Sequence, residues 1–266
     1  MMASKKYIKL AQVSMQNVIA YRFTYFISLL GSLIFVIAMF YLWQAIFDQR
    51  EQLSGFTWEQ MKAYIFITYL TNSLISWYSE TSISRKIIKG DVAMDLLKPL
   101  DFQKARIAET AGASLMEGCI AAIMIAALLL STKSLVMPDS LQSGVLFILS
   151  LALSVFIKFG IIYLASLFCF WTANGIGVAW MRAALTNFFS GALIPFAFFP
   201  EWLAGISRLL PFQGIVHIPA SIYLGKAIGL EAWGQIGIQI FWGIVLWTLG
   251  KWLWVWAVRQ VTINGG

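Results

Sequence analysis

Glu117 and Lys158 are two ionisable side chains that interrupt long apolar runs of this sequence. Within a membrane, each such central charge costs roughly 2.5–3.5 kcal/mol. The two lie at a similar depth in consecutive runs and have opposite signs. This spacing predicts a buried ion pair, which lowers the burial cost of both groups. There are two alternatives: the charges contact a ligand in a cavity, or their side chains extend to the membrane surface.

The other reactive side chains form no recognisable catalytic or metal-binding set. His217 is the single histidine, and we expect it to make a polar contact rather than to act as a base. Cys119 and Cys169 lie in apolar runs with no C-x-x-C spacing, which predicts small packing residues. The chain has no G-x-x-x-x-G-K-[ST], G-x-S-x-G or H-E-x-x-H motif. We therefore expect no catalytic residue, no metal and no cofactor held by this chain.

The composition is that of a membrane protein. Of the 266 residues, 60% are hydrophobic and 12% are charged, whereas about 25% charged residues are usual in soluble domains. The net charge of +7 is typical of loops that face an anionic membrane surface. The tryptophans mark the ends of apolar runs, so a nucleic-acid partner is not expected.

Six runs are long enough to cross the membrane, because about 20 apolar residues span its hydrocarbon core. Most of the 19 Lys and Arg residues fall on the side that holds both termini, which predicts cytoplasmic termini. The sequence thus predicts an all-α integral membrane protein with transmembrane spans at 23–47, 60–79, 107–130, 145–171, 178–199 and 233–256.

Residues 4–20 precede the first span. Ile8, Met15 and Val18 recur at helical spacing, and Lys5 and Lys9 fall on the opposite face. This pattern predicts an amphipathic helix in the plane of the membrane surface. A flexible basic tail is the alternative.

Residues 200–230 are apolar but too short and too interrupted for a regular span. Proline removes a backbone donor and ends a helix, so the prolines of this region divide it into short pieces. We expect two short helices that dip into the outer leaflet, a re-entrant hairpin whose broken ends are covered by protein. One additional span is the alternative. The prolines assigned to the hairpin and to the approach to it are Pro195, Pro200, Pro211 and Pro219.

The largest polar stretch between spans is 80–106, and its mixed charges place it in water. Within it, Val92, Leu96 and Pro99 can form an apolar edge while Asp91 and Asp95 stay solvated. A partner protein on this side of the membrane is expected to bind here.

This polar stretch closely resembles the first cytoplasmic loop of bacterial permeases of the ABC-2 type, the membrane subunits of type-2 ABC exporters. The likeness is to the branch known as an uncharacterised permease component of an ABC transport system. It extends over essentially the whole chain, through the segments 83–90, 92–100, 170–174, 190–203, 210–212, 219–225 and 265–266.

The resemblance implies a multi-pass permease of the bacterial cytoplasmic (inner) membrane. Two permeases, identical or different, would pair, and each would dock a cytoplasmic ATPase that binds ATP and Mg²⁺. In this class the loop between spans two and three forms a coupling helix. Mapped onto this chain, the helix covers Asp91–Leu97 between Gly90 and Pro99, and the ATPase-coupling residues are Gly90, Asp91, Val92, Met94, Asp95, Leu96, Leu97 and Pro99.

A central cavity for cargo is expected between spans one, two and five. Its candidate lining residues are Asn72, Ser73, Trp77 and Asn187. An apolar and aromatic lining favours amphipathic cargo such as a lipid, drug or peptide. The alternatives are a secondary transporter driven by an ion gradient, which should carry inverted repeats and several mid-membrane carboxylates, and a membrane enzyme acting on lipids.

Overall fold

The fold is described from a computed structural model, which covers residues 2–132, 138, 140–172 and 174–260. Helices account for nearly all of its regular structure. The α-helices are α1 Met2–Ala20, α2 Arg22–Phe47, α3 Trp58–Ser73, α4 Trp77–Glu80, α5 Ser82–Ile88, α6 Val92–Leu96, α7 Phe102–Thr132, α8 Leu141–Leu167, α9 Gly175–Phe189, α10 Glu201–Leu209, α11 His217–Tyr223 and α12 Gly229–Ala257.

Among the described residues, four helices are long and apolar enough to cross a membrane: α2, α7, α8 and α12. They correspond to predicted spans one, three, four and six. The third starts at Phe102 rather than at 107, because Asp101 caps it. The Asp101 carboxylate accepts a hydrogen bond from the Lys104 backbone N–H at 2.9 Å, which satisfies one of the free donors of the first turn.

Predicted spans two and five take a different form, since each is a shorter helix that ends in a break. The helix α3 has 16 residues and α9 has 15. Beyond α9, Gly191 adopts a φ of +85°. The carbonyl oxygen of Ser190 accepts a hydrogen bond from the His217 N–H at 3.1 Å, and that of Gly191 accepts one from the Tyr64 hydroxyl at 2.8 Å.

A small β-hairpin occupies the predicted polar loop between α2 and α3. Its strands are β1 Gln52–Leu53 and β2 Phe56–Thr57, paired antiparallel. The side chain of Thr57 caps α3, and Gln60 completes a reciprocal capping box. On the other side, the Lys226 ammonium donates to the Gly55 carbonyl at 2.8 Å, which ties the segment after α11 to this hairpin.

The stretch 200–230 contains two short helices, α10 and α11, joined by a 3₁₀ turn at Pro211–Gly214. Pro200 stands at the N-cap of α10, and Pro211 is the first residue of the turn. Pro195 precedes a 3₁₀ turn, Phe196–Phe198, and Pro219 lies in the first turn of α11, where a missing N–H is tolerated.

A buried polar network fastens the turn between α10 and α11 to the long helices. The Gly214 carbonyl accepts a hydrogen bond from the Gln239 amide on α12 and one from the Ser154 hydroxyl on α8, both at 2.8 Å. The Gln239 side-chain oxygen in turn accepts from Ser150 at 3.0 Å. These bonds satisfy a carbonyl that lies outside any regular helix, and α11 itself is almost fully buried.

The helix α1 packs along α7 rather than standing apart from the bundle. Its Val18 is buried, whereas Ile8 and Ile19 are exposed, so one apolar flank remains uncovered. The closest approach is at Gly112 of α7, where a Cβ would collide with the backbone of Ala11. The absence of a side chain at Gly112 therefore allows the two helices to pack closely.

Replacing Gly112 with alanine should separate α1 from α7. The added methyl group meets backbone rather than a movable side chain, so we expect a loss of about 1–3 kcal/mol in the free energy of unfolding. Thermal unfolding of the detergent-solubilised protein measures it. The matched control is Gly234→Ala on α12, where a Cβ meets no atom within 4 Å. Alanine has a higher helix propensity than glycine, so this variant should be at least as stable as the unmodified protein. Equal stability of the two variants would contradict the packing described.

Candidate functional site

The site begins with a break between α3 and α4, at residues 74–76. A helix end leaves carbonyl groups without intrahelical partners. Here the Lys158 ammonium, from α8, donates to the carbonyl oxygens of Asn72 at 2.8 Å and Ile75 at 3.0 Å. A cation at this position also interacts favourably with the negative end of the helix dipole. Lys158 thus caps the end of α3.

Glu117, from α7, satisfies the other side of the break. Its carboxylate accepts hydrogen bonds from the backbone N–H and the hydroxyl of Ser76, the latter at 3.0 Å, and from the hydroxyl of Ser79. Glu117 is fully buried. The two buried charges therefore lie on opposite sides of one backbone break, each against the backbone groups of complementary polarity.

The structure corrects the predicted pairing of Glu117 with Lys158. The Lys158 ammonium instead forms an ion pair with Glu80, at 2.9 Å, and the second oxygen of Glu80 lies 2.6 Å from the guanidinium of Arg182. The physical reason is the break itself, because it occupies Glu117 with backbone and hydroxyl donors. Glu80 then provides the counter-charge.

Sequence reasoning named neither Glu80 nor Arg182 as a site residue. It had assigned Glu80 to the water-exposed stretch 80–106, and Arg182 lies within predicted span 178–199 and is 6% exposed. One signal was available: a buried Lys158 needs a carboxylate, and Glu80 lies at the end of predicted span two.

A cavity of about 380 Å³ opens beside this charge cluster. Its walls come from α2, α3 and α9, with Lys158 contributed by α8. The structure brings all four predicted lining residues, Asn72, Ser73, Trp77 and Asn187, to this one cavity. The ring of Trp77 lies 5.0 Å from that of Trp180, measured between centroids. Other wall residues are apolar, including Leu29, Phe35, Val36 and Met39.

The predicted coupling segment contains the helix α6, bounded by Gly90 with a φ of +78° and followed by Pro99. Its apolar residues divide into two groups. Val92 is 2% exposed and packs with Ile83 and Ile87 of α5. Val92 therefore anchors the segment and does not contribute to an accessible apolar edge. The exposed apolar residues are Met94, Leu96 and Leu97, at 65%, 44% and 79%.

Asp95 is also an anchor, whereas the sequence had placed its side chain in water. Its carboxylate lies 2.6 Å from the ammonium of Lys98 and 3.2 Å from the guanidinium of Arg106, on α7. Burial raises the pKa of Asp95, but the hydrogen bond from Lys98 and the charges of Arg106 and Lys86 outweigh this and hold the pKa below its usual value. Asp95 is therefore ionised at neutral pH and fastens α6 to α7.

The remaining candidates stand apart from the cavity. His217 is stacked on Phe196, with ring centroids 4.3 Å apart. Cys169 is buried, as its predicted packing role requires, but Cys119 is exposed on α7, so that prediction was wrong for Cys119. Among the described residues, no group of three or more His, Cys, Asp or Glu side chains is placed to hold a metal ion.

A bundle of apolar helices with an adjoining cavity and an anchored polar segment is the architecture of a multi-pass membrane protein. A family model for ABC-2 family transporter proteins matches residues 33–265, which is most of the chain. The chain belongs to this family of transporter permeases, whose members associate with an ABC ATPase subunit. A search of curated proteins found no match.

A double-mutant cycle tests the charge pairing. The variants Glu80→Gln and Lys158→Gln should each destabilise the protein by about 3–5 kcal/mol. Glu80→Gln removes the counter-charge of both Lys158 and Arg182, and Lys158→Gln leaves Glu80 with one cation and the carbonyls of Asn72 and Ile75 without their charged donor. Together they should cost less than the sum, with a coupling of roughly 1–3 kcal/mol. Thermal unfolding in detergent provides the measurement.

The matched cycle combines Glu117→Gln with Lys158→Gln. We expect a smaller coupling, because these side chains bind different backbone groups. A larger coupling for Glu117 than for Glu80 would contradict the assigned pairing.

Proposed function

We propose that this chain is the permease subunit of an ABC exporter. It pairs with a second permease and with cytoplasmic ATPase subunits, and it moves an amphipathic substrate, drug-like, peptide or lipid-like, across the bacterial cytoplasmic membrane by ATP-driven alternating access. Membership of the ABC-2 family over residues 33–265 carries the proposal. Nucleotide chemistry belongs to the partner ATPase, and no nucleic acid is involved.

The proposed topology has six crossings and cytoplasmic termini. The four long helices supply four of them. The helix α3, at 16 residues, covers about 24 Å at 1.5 Å per residue, and α4 continues it beyond the break. The helix α9 is extended by the segment 190–199. The region 200–230 forms the re-entrant hairpin, and the hydrogen bonds from Ser154 of α8 and Gln239 of α12 to Gly214 support this, because broken backbone at membrane depth must be covered by protein.

The proposed ATPase contact is the exposed apolar tip of α6. Met94, Leu96 and Leu97 are exposed on a helix whose other side is held by Val92 and Asp95. Exposed apolar groups on an anchored helix suit a groove on a partner. Movement of the ATPase would then reach α7 through the Asp95–Arg106 ion pair.

The proposed cargo route is the 380 Å³ cavity. Its size is that of a small-ligand pocket, and its mixture of aromatic and aliphatic walls with a polar cluster suits an amphipathic molecule. The second permease would face α2, which is the least buried of the four long helices. Two such subunits would enclose a larger central space between them.

A secondary transporter driven by an ion gradient is the alternative, favoured by one observation: the carboxylate of Glu117 is fully buried and the side chain of Glu80 is only 10% exposed. Transport by the purified chain in liposomes, with an ion gradient but without an ATPase or nucleotide, would support it. The ABC assignment instead requires that transport depend on an ATPase and on ATP.

Leu96→Asp and Leu97→Asp test the coupling surface. A charge in a desolvated apolar contact should cost about 2 kcal/mol or more, which is roughly a thirtyfold loss of affinity. We therefore expect the partner ATPase to dissociate and its stimulated hydrolysis to disappear, while the permease still inserts. Co-purification and ATPase assays in liposomes measure this.

The control is Lys104→Asp, which introduces the same side chain at an exposed position of α7, outside the tip. It should retain ATPase binding. Normal transport by both leucine variants would disprove the proposed contact.

A further inference from the structure

Arg182 differs from the other charged groups of the cavity in how far its hydrogen-bonding capacity is used. Its guanidinium makes one contact, the 2.6 Å bond to Glu80, and no other described residue accepts from it. A guanidinium has five N–H donors, and Arg182 is 6% exposed and lines the cavity. None of the other guanidinium nitrogens is a buried atom without a partner, so they keep accessible surface at the cavity, and their donors are available to a ligand.

Lys158 has no such capacity left. Its ammonium donates to Asn72, Ile75 and Glu80, which uses all three of its N–H bonds. Both oxygens of Glu80 are likewise engaged by Lys158 and Arg182. Glu117 is bound to Ser76 and Ser79 and is not part of the cavity lining. The groups that line the cavity therefore carry two positive charges and one negative charge.

We propose that the cavity binds amphipathic anions, with the carboxylate or phosphate of the ligand accepting hydrogen bonds from Arg182. The planar guanidinium binds such groups in a bidentate manner. The apolar body of the ligand would lie along the wall that contains Phe35, Val36 and Met39, next to the paired rings of Trp77 and Trp180. That this ligand is cargo rests on the proposed function. The binding of the anion to the cavity does not, because binding needs no ATPase.

The experiment compares two probes that differ only in charge, 11-(dansylamino)undecanoic acid and its methyl ester. Each is titrated into the purified full chain in a neutral detergent, with empty micelles subtracted, and dansyl fluorescence reports binding. We expect the acid to bind at least tenfold more tightly than the ester. Dodecyl phosphate should displace the acid, and dodecyltrimethylammonium should not.

Two variants locate the site. Arg182→Gln should abolish the preference for the acid. Gly31→Phe should weaken both probes, because Gly31 lines the cavity and the space around a Cβ there is open, so a ring at this position takes up space that the ligand would need. If Arg182→Gln does not fold, Gly31→Phe still locates the site. The control Arg259→Gln removes an arginine outside the cavity and should leave both affinities unchanged.

Equal binding of acid and ester by the unmodified protein would overturn the proposal, as would a preference for the acid that survives in Arg182→Gln. A carboxylate of a second permease copy that occupied Arg182 would give equal binding of the two probes, and it would therefore also overturn the proposal. These outcomes test only the binding of anions. The proposed function is tested separately by the loss of ATPase coupling in Leu97→Asp, which does not depend on the charge of the ligand.

Discussion

A broken helix in an apolar bundle must find hydrogen-bond partners for the backbone groups that the break releases. In this protein the break lies at residues 74–76, and two buried charges meet that requirement. Lys158 binds the carbonyl groups at the end of α3, and Glu117 binds the N–H and hydroxyl groups that begin the next segment. Each charge is stabilised by the backbone that it satisfies, so neither depends on the other for its place in the bundle.

The position of the cavity follows from that arrangement. Because the chain turns at the break, Glu80 lies against Lys158 of α8 and also reaches Arg182 of α9. Three separate elements thus meet at one carboxylate. The polar cluster forms one boundary of the cavity, and side chains of α2, α3 and α9, many of them apolar, form the other walls. The cavity is amphipathic because the cluster of Glu80, Lys158 and Arg182 lies next to apolar walls.

The sequence predicts the long helices well because their signal is local. Apolar runs locate α2, α7, α8 and α12 to within a few residues, and Gly90 and Pro99 enclose the observed α6. The hydrogen-bond and ion-pair partners of the buried polar groups were harder to predict from the sequence. The Lys158–Glu80 pair depends on how helices distant in sequence are rotated against each other, and the break at 74–76 contains neither proline nor glycine. The hydrogen bonds from Gln239 and Ser154 to Gly214 join three elements. No periodic pattern in the sequence predicts these bonds.

The helix α7 is unusually long, at 31 residues, which corresponds to about 46 Å at 1.5 Å per residue. Its first turns carry Arg106, the residue that holds Asp95 of α6, and α1 is packed against its Gly112. In the proposed exporter, such a rod would act as a lever arm: a tilt of about 5° pivoted at one end displaces the other by about 4 Å. Because α1 is packed against the same helix, its uncovered apolar flank would move with it against the surrounding lipid, and the bilayer would resist the proposed conformational cycle.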